Sequence, residues 1–93
     1  MNNGIGKNRE FDEFIGGNLR KFRHSAGVDA QTLADGMGVS TSMIFGYERG
    51  AYTMTLYHIA LMAYCFRVQV DEMVYILTDG FTIKFNENEK KQD

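Results

Sequence analysis

The sequence contains no proline and no tryptophan, and its one cysteine is Cys65. Without proline, turns and helix ends rest on glycine and on side chains that cap helices. A single cysteine excludes an intramolecular disulfide. Lying in an apolar run, it fits a reducing compartment and a core position rather than a nucleophile. Long hydrophobic runs are also missing. The longest, Ile59 to Phe66, falls far short of the about 20 residues that a membrane span needs. The start, Met1-Asn2-Asn3-Gly4, has no charged segment leading into an apolar one, so no signal peptide is expected and a cytoplasmic location is. His24 and His58 have no Cys or second His at metal-ligand spacing, which argues against a metal site. No Ser/His/Asp set and no glycine-rich phosphate loop is present, so neither an enzyme nor a cofactor is expected.

What remains is a chain of 93 residues with 44% hydrophobic side chains, enough for one unaided domain, since typical domains run to roughly 100–200 residues. Net charge is only −2 and does not advertise a nucleic-acid binder. Its distribution says more. Positive charge gathers in the first 27 residues, where Arg20, Lys21 and Arg23 sit together, whereas residues 28–80 are acidic. Phosphate binding depends on local rather than total charge.

Apolar spacing reads as five helices. Residues 1–9 are expected to form a polar, flexible tail. Phe11, Phe14, Ile15, Leu19 and Phe22 recur at helical intervals over about 10–25, with Asn8 as a cap and Gly27 as the stop. Gly16 and Gly17 inside this helix each cost about 1 kcal/mol relative to alanine. Asp29 caps a helix over 30–37 with Leu33, Ala34 and Met37 inward, and Gly38 breaks it. Ser40 caps 41–49, which Gly50 ends. Thr55 caps 56–66, with Leu56, Ile59, Ala60, Ala63 and Phe66 as its inner stripe. A last helix over about 71–78 turns Met73, Ile76 and Leu77 inward. Asp12/Glu13 and Asp71/Glu72 have the character of first-turn residues favoured by the helix dipole, although Asp12 lies too deep in its helix to fit that role well. After Gly80 the alternation Phe81-Thr82-Ile83-Lys84-Phe85 has the period of a strand with one buried face. The expected organisation is a helical domain over 10–79, a strand over 80–86 and a disordered tail over 87–93.

The segment Leu33 to Ile44 places two short helices around a tight turn at Gly38, a helix-turn-helix arrangement. At about 100° per residue, Thr41, Ser42, Phe45 and Arg49 share one arc of the second of these helices, and Met43, Ile44 and Tyr47 share the opposite one. The apolar arc suits the core. The other arc fits a major groove about 12 Å wide. Thr41 and Ser42 are expected to hydrogen-bond base edges, Phe45 to touch a thymine methyl, Gly46 to let the backbone come close, and Arg49 to meet a phosphate. Each feature also has a plainer reading. Phe45 would serve equally as a protein contact, Thr41 and Ser42 as ordinary helix-start residues, and the Arg20 cluster as a solvated helix face.

From Ile15 to Met73 the chain resembles the Xre/Cro-like helix-turn-helix family of phage and bacterial repressors. The resemblance is carried by Ile15-Gly16, Leu19-Arg20, Arg23, Gly27, Leu33-Ala34, Gly38-Val39-Ser40, Ile44, Glu48-Arg49-Gly50, Leu56, Ala63, Phe66, Val68 and Asp71-Glu72. It implies an all-α, lambda-repressor-like bundle of five helices that works as a homodimer on double-stranded DNA with a pseudo-palindromic operator. It also implies an ion pair between Arg23 and Glu48. Thr41, Ser42, Phe45 and Gly46 match the family's base-facing positions. Its phosphate-contacting parts match Ala30-Gln31 and Arg49 through Thr53, including Tyr52; Arg20 is a further candidate for DNA contact. The chain departs from the family at Ala30, where glutamine is usual, at Phe45 and Gly46, where polar side chains are, at Met54 for proline and at Arg67 for glycine.

The fourth helix carries a second stripe, Tyr57, Leu61 and Tyr64, that a monomeric bundle does not need. With Phe81, Ile83 and Phe85 of the strand, these residues form the expected dimer interface, the two strands pairing across a twofold axis. The competing expectation folds the strand back over its own fourth helix. The leading function is a sequence-specific transcription regulator, a repressor. Its rival is a protein-interaction module or antitoxin on the same fold, with a protein partner and weak or no DNA binding.

Overall fold

The computed structural model describes residues 8–83. Five helices make up the fold: α1 (Arg9–Ser25), α2 (Ala30–Met37), α3 (Thr41–Arg49), α4 (Leu56–Phe66) and α5 (Val70–Thr78). Four of them begin under the caps read from the sequence. The side chains of Asn8, Asp29, Ser40 and Thr55 accept the backbone N–H groups of Phe11, Thr32, Met43 and His58, which would otherwise lack partners. The N–H of Thr32 also holds the Asp29 carboxyl below the usual carboxylate range. Gly38 and Gly50 close α2 and α3 in the left-handed conformation. Arg67 adopts the same conformation after α4, at φ 62°, where the family resemblance would have put glycine.

The core gathers Ile15, Leu19, Leu33, Ala34, Ile44, Tyr47, Met62, Ala63, Met73 and Leu77. One stripe differs from the expectation. Leu56 opens α4 and is 69% exposed, while Met62 is fully buried. The inward arc of α4 runs through Met62, Ala63, Ile59 and Phe66, and Leu56 sits at its edge in the first turn, where no neighbouring helix covers it. Phe66 meets Phe22 of α1 edge to face.

The strand over 80–86 is not supported. Residues 81–83 are in no strand, and Lys84 and Phe85 lie outside the described residues. The chain instead turns at Gly80, φ 94°, and the half-buried Phe81 ring lies 5.1 Å from Phe11 and 5.3 Å from Phe14. Asn18 holds this end in place by donating to the carbonyls of Leu77 and Asp79. The segment therefore folds back on α1, and not on α4 as the competing expectation had it. Aromatic packing on two phenylalanines satisfies Phe81 without a strand partner.

Three contacts fasten α3 and the segment after it to α1, and all of them use one face of α1. Arg23 grips Glu48 with two hydrogen bonds, Nε to Oε2 at 2.6 Å and Nη2 to Oε1 at 3.1 Å, and its Nη1 reaches the Val28 carbonyl. Both side chains are nearly inaccessible, and the bonds from Glu48 raise the Arg23 pKa further above its usual value. Gly16 lies against the carbonyls of Tyr47 and Glu48 so closely that a Cβ there would overlap them. Asp12, buried on the same face, accepts a 2.8 Å hydrogen bond from Thr53 Oγ1 in the segment after α3. On the far side, the Tyr47 hydroxyl and His58 Nδ1 share a hydrogen bond of 2.6 Å that ties α3 to α4.

Four outcomes follow for stability. Gly16→Ala lowers the free energy of unfolding by about 1–3 kcal/mol, because backbone atoms cannot yield as side chains can. Gly17→Ala, with nothing within 4 Å of its Cβ position, raises it by about 0.5–1 kcal/mol; urea titration followed by circular dichroism separates the pair. Glu48→Ala leaves a buried guanidinium unpaired and lowers stability by about 3–5 kcal/mol. A joint replacement of Arg23 and Glu48 by apolar residues costs less than the two single changes added together, as a double-mutant cycle reads directly.

Candidate nucleic-acid interface

The turn between α2 and α3 is built from backbone hydrogen bonds. Gly38 N–H donates to Asp35 O and Val39 N–H to Ala34 O, which closes α2 and aims α3 away from it. Small residues allow this: Ala34 is fully buried where the two helices meet. α3 then places Ile44, Tyr47 and Glu48 in the interior, pinned from α1 and α4. Its other arc is left outward. Ser42 and Arg49 are exposed, Thr41 is half-buried and Phe45 is 44% exposed. The four side chains assigned to one face by helical spacing therefore share an open face.

Thr41 is not isolated there. Its hydroxyl donates to Gln31 Oε1 at 3.0 Å, and Gln31 Nε2 donates to Asp35 Oδ1 at 2.9 Å. Gln31, second in α2, thus joins the outward face of α3. Ala30 is buried and contributes packing where the resembled family has glutamine.

Gly46 corrects an expectation. It is buried, and the space in front of it is occupied by the Tyr52 ring, which a Cβ would overlap. The residue admits a tyrosine of its own chain rather than an approaching DNA backbone. Tyr52 keeps half its surface exposed and stands edge-on to Tyr47 at 6.3 Å, so it flanks the outward arc of α3. Arg20 is exposed on α1. With Gly17, Lys21, His24 and Ser25 it lines a shallow basic groove along α1.

The expected dimer residues divide. Tyr57 and Tyr64 are strongly exposed, the latter at 81%, and Leu56 of α4 and Val70, Val74 and Tyr75 of α5 are exposed as well. Leu61 is half-buried. Ile83 is exposed, Phe81 is engaged with α1, and Phe85 lies outside the described residues. Cys65 packs its sulfur against Gly36, and burial pushes its thiol pKa up, as suits a packing residue. Among the described residues no group of His, Cys, Asp or Glu has the arrangement of a metal site, and no helix is long and apolar enough to cross a membrane.

Sequence reasoning left Asp12 without a role. An acid three and seven residues before Ile15 and Leu19 lies on the buried stripe, and that position signals a buried acceptor in need of a donor. Asp35 and Asn18 carried no comparable signal, because their partners are set by the tertiary approach of other segments.

No protein-family model matches the chain, and no curated protein does. Solved structures do. The crystal structure of the clp gene regulator ClgR from C. glutamicum superposes with a TM-score of 0.68 at 23% identity, covering 80% of this chain and 96% of that one. The restriction-modification controller protein C.AhdI from Aeromonas hydrophila gives 0.61 at 28% identity, covering 69% of this chain and 96% of that one. Both likenesses span nearly the whole of the chain compared. The chain has the five-helix fold of the Xre/Cro-like helix-turn-helix regulators that its sequence resembles.

Proposed function

We propose that this protein is a sequence-specific DNA-binding transcription regulator, a repressor that acts as a homodimer on an inverted-repeat operator. The observation that carries the reading is the outward arc of α3, where Ser42, Phe45 and Arg49 are exposed and the half-buried Thr41 stands beside Gln31, on a helix held from behind. A helix so mounted enters the major groove with its first turn against base edges and Arg49 against a phosphate. The two similar structures, one of a clp gene regulator and the other of a restriction-modification controller, support a regulatory role. The apolar surface of Tyr57, Leu61 and Tyr64 supports pairing with a second copy. In such a dimer two α3 helices reach successive major grooves about 34 Å apart.

One set of observations favours the rival, a protein-interaction module or antitoxin. Phe45 presents an apolar ring outward, Arg49 is the lone basic side chain of α3, and the whole chain is slightly acidic. The two readings separate in solution. A groove binder selects an enriched motif from a random DNA pool, and its affinity falls steeply with salt. Phe45→Ala relaxes the motif, whereas Arg49→Ala weakens binding to all sequences about equally and flattens the salt dependence. No enrichment at moderate salt, together with capture of one protein partner through Phe45, replaces the first reading with the second.

The dimer has its own test. Tyr64→Asp introduces a charge into the apolar surface and converts the protein to a monomer in analytical ultracentrifugation, with its helical content unchanged. A variant that still sediments as a dimer moves the interface elsewhere.

A further inference from the structure

The hydrogen bonds at the start of α3 run in one direction. Asp35 as a carboxylate has acceptors and no donor, so the Gln31 group facing it at 2.9 Å is the amide nitrogen. That fixes the orientation of the Gln31 amide and turns its carbonyl oxygen toward Thr41. A carbonyl oxygen only accepts, so the 3.0 Å contact is made by the Thr41 hydroxyl proton. A hydroxyl has a single proton. With it committed to Gln31, Thr41 offers only lone pairs to whatever α3 approaches. Gln31 and Asp35 are four residues apart on α2, the spacing at which helix side chains meet. The α2–α3 turn puts Gln31 beside the first residue of α3.

We infer that Asp35, acting through Gln31, makes Thr41 an acceptor-only reader that selects an exocyclic amino group, adenine N6 or cytosine N4, in the major groove. Asp35 and Gln31 are positioning residues; Thr41 makes the contact. The inference rests on the proposed DNA-binding role and adds the chemistry of one base contact to it. Every base pair presents one such amino group in the major groove beside keto or ring-nitrogen acceptors. A Thr41 oxygen set against guanine O6 or thymine O4 meets another acceptor. Turning its proton toward the base would leave Gln31 Oε1 without a donor in a surface that DNA has dried. The fixed polarity therefore favours one placement of the pair over the other. Asp35 also repels phosphates, but that repulsion is the same for every sequence and is separable from the effect on one base.

The test begins with duplexes selected from a random pool by the full-length protein. Thr41→Val keeps the branched shape and removes the hydroxyl; the base pair at which it relaxes selection is the one that Thr41 reads. At that pair, adenine is replaced by purine lacking the 6-amino group, or cytosine by the pyrimidinone lacking the 4-amino group. Loss of the amino group weakens the unaltered protein by about three- to tenfold, the range of one hydrogen bond, and leaves Thr41→Val unchanged. Asp35→Ala binds all duplexes somewhat more tightly and loses most of the discrimination at this pair alone, with its melting temperature preserved. Two outcomes overturn the inference while leaving DNA binding intact. One is an amino-group deletion that the unaltered protein does not sense. The other is discrimination that survives Asp35→Ala in full. A pool with no enriched sequence overturns the DNA-binding proposal itself, and this contact with it.

Discussion

The structure depends on the grip of α1 on α3. A helix of nine residues is too short to hold its shape in water by its own hydrogen bonds, and its outward arc must be left without support if it is to meet a partner. Its position therefore comes from behind and from its ends. The Arg23–Glu48 pair holds the last turn, Gly16 allows the two backbones to come together beside it, and Asp12 secures the following segment through Thr53. These residues lie along a single stripe of α1 with Ile15 and Leu19 between them. The stripe is as much polar fastening as hydrophobic core. A buried ion pair adds little net stability over apolar packing of the same volume. It does tolerate little displacement, since a guanidinium that shifts loses both bonds at once.

Much of the fold is legible in the sequence because its helix ends are fixed locally. Asn8, Asp29, Ser40 and Thr55 each precede an apolar-periodic segment, and the physics of capping is local, so the helix starts could be read residue by residue. Gly38 and Gly50 are the corresponding stops. The sides of α3 followed from periodicity alone. What the sequence did not disclose was tertiary. Gly16 and Gly17 look alike in the sequence, both as costs to a helix, yet only Gly16 faces another backbone. Gly46 looked like an opening for DNA and is instead the seat of the Tyr52 ring. The alternation from Phe81 to Phe85 has a strand's period, but five residues carry too little information to choose between a strand partner and the two phenylalanines of α1 that Phe81 meets.

The candidate interface was legible in outline and not in its wiring. Thr41, Ser42, Phe45 and Arg49 were identified together because a helix makes residues at those intervals neighbours. Gln31 entered only as part of a helix start, and Asp35 was not singled out. Their connection to Thr41 depends on the crossing of α2 and α3, which brings a side chain from the second position of one helix to the first position of the other. Hydrogen-bond direction is a property of the assembled trio and of none of its members.

The sparse positive charge of the face bears on how it would work. With Arg49 alone on α3 and Asp35 near its first turn, phosphate attraction contributes less than in a strongly basic domain, and nonspecific binding is weak in proportion. Affinity then leans on backbone N–H groups at helix starts, on contacts in the groove and on doubling through a second copy. The exposed tyrosines of α4 matter for this reason. If each protomer binds weakly, pairing converts the second engagement into an intramolecular one and restores affinity without added charge. A low net charge and exposed tyrosines on α4 are thus compatible with the proposed dimer, in which geometry and symmetry would do what a basic surface does elsewhere.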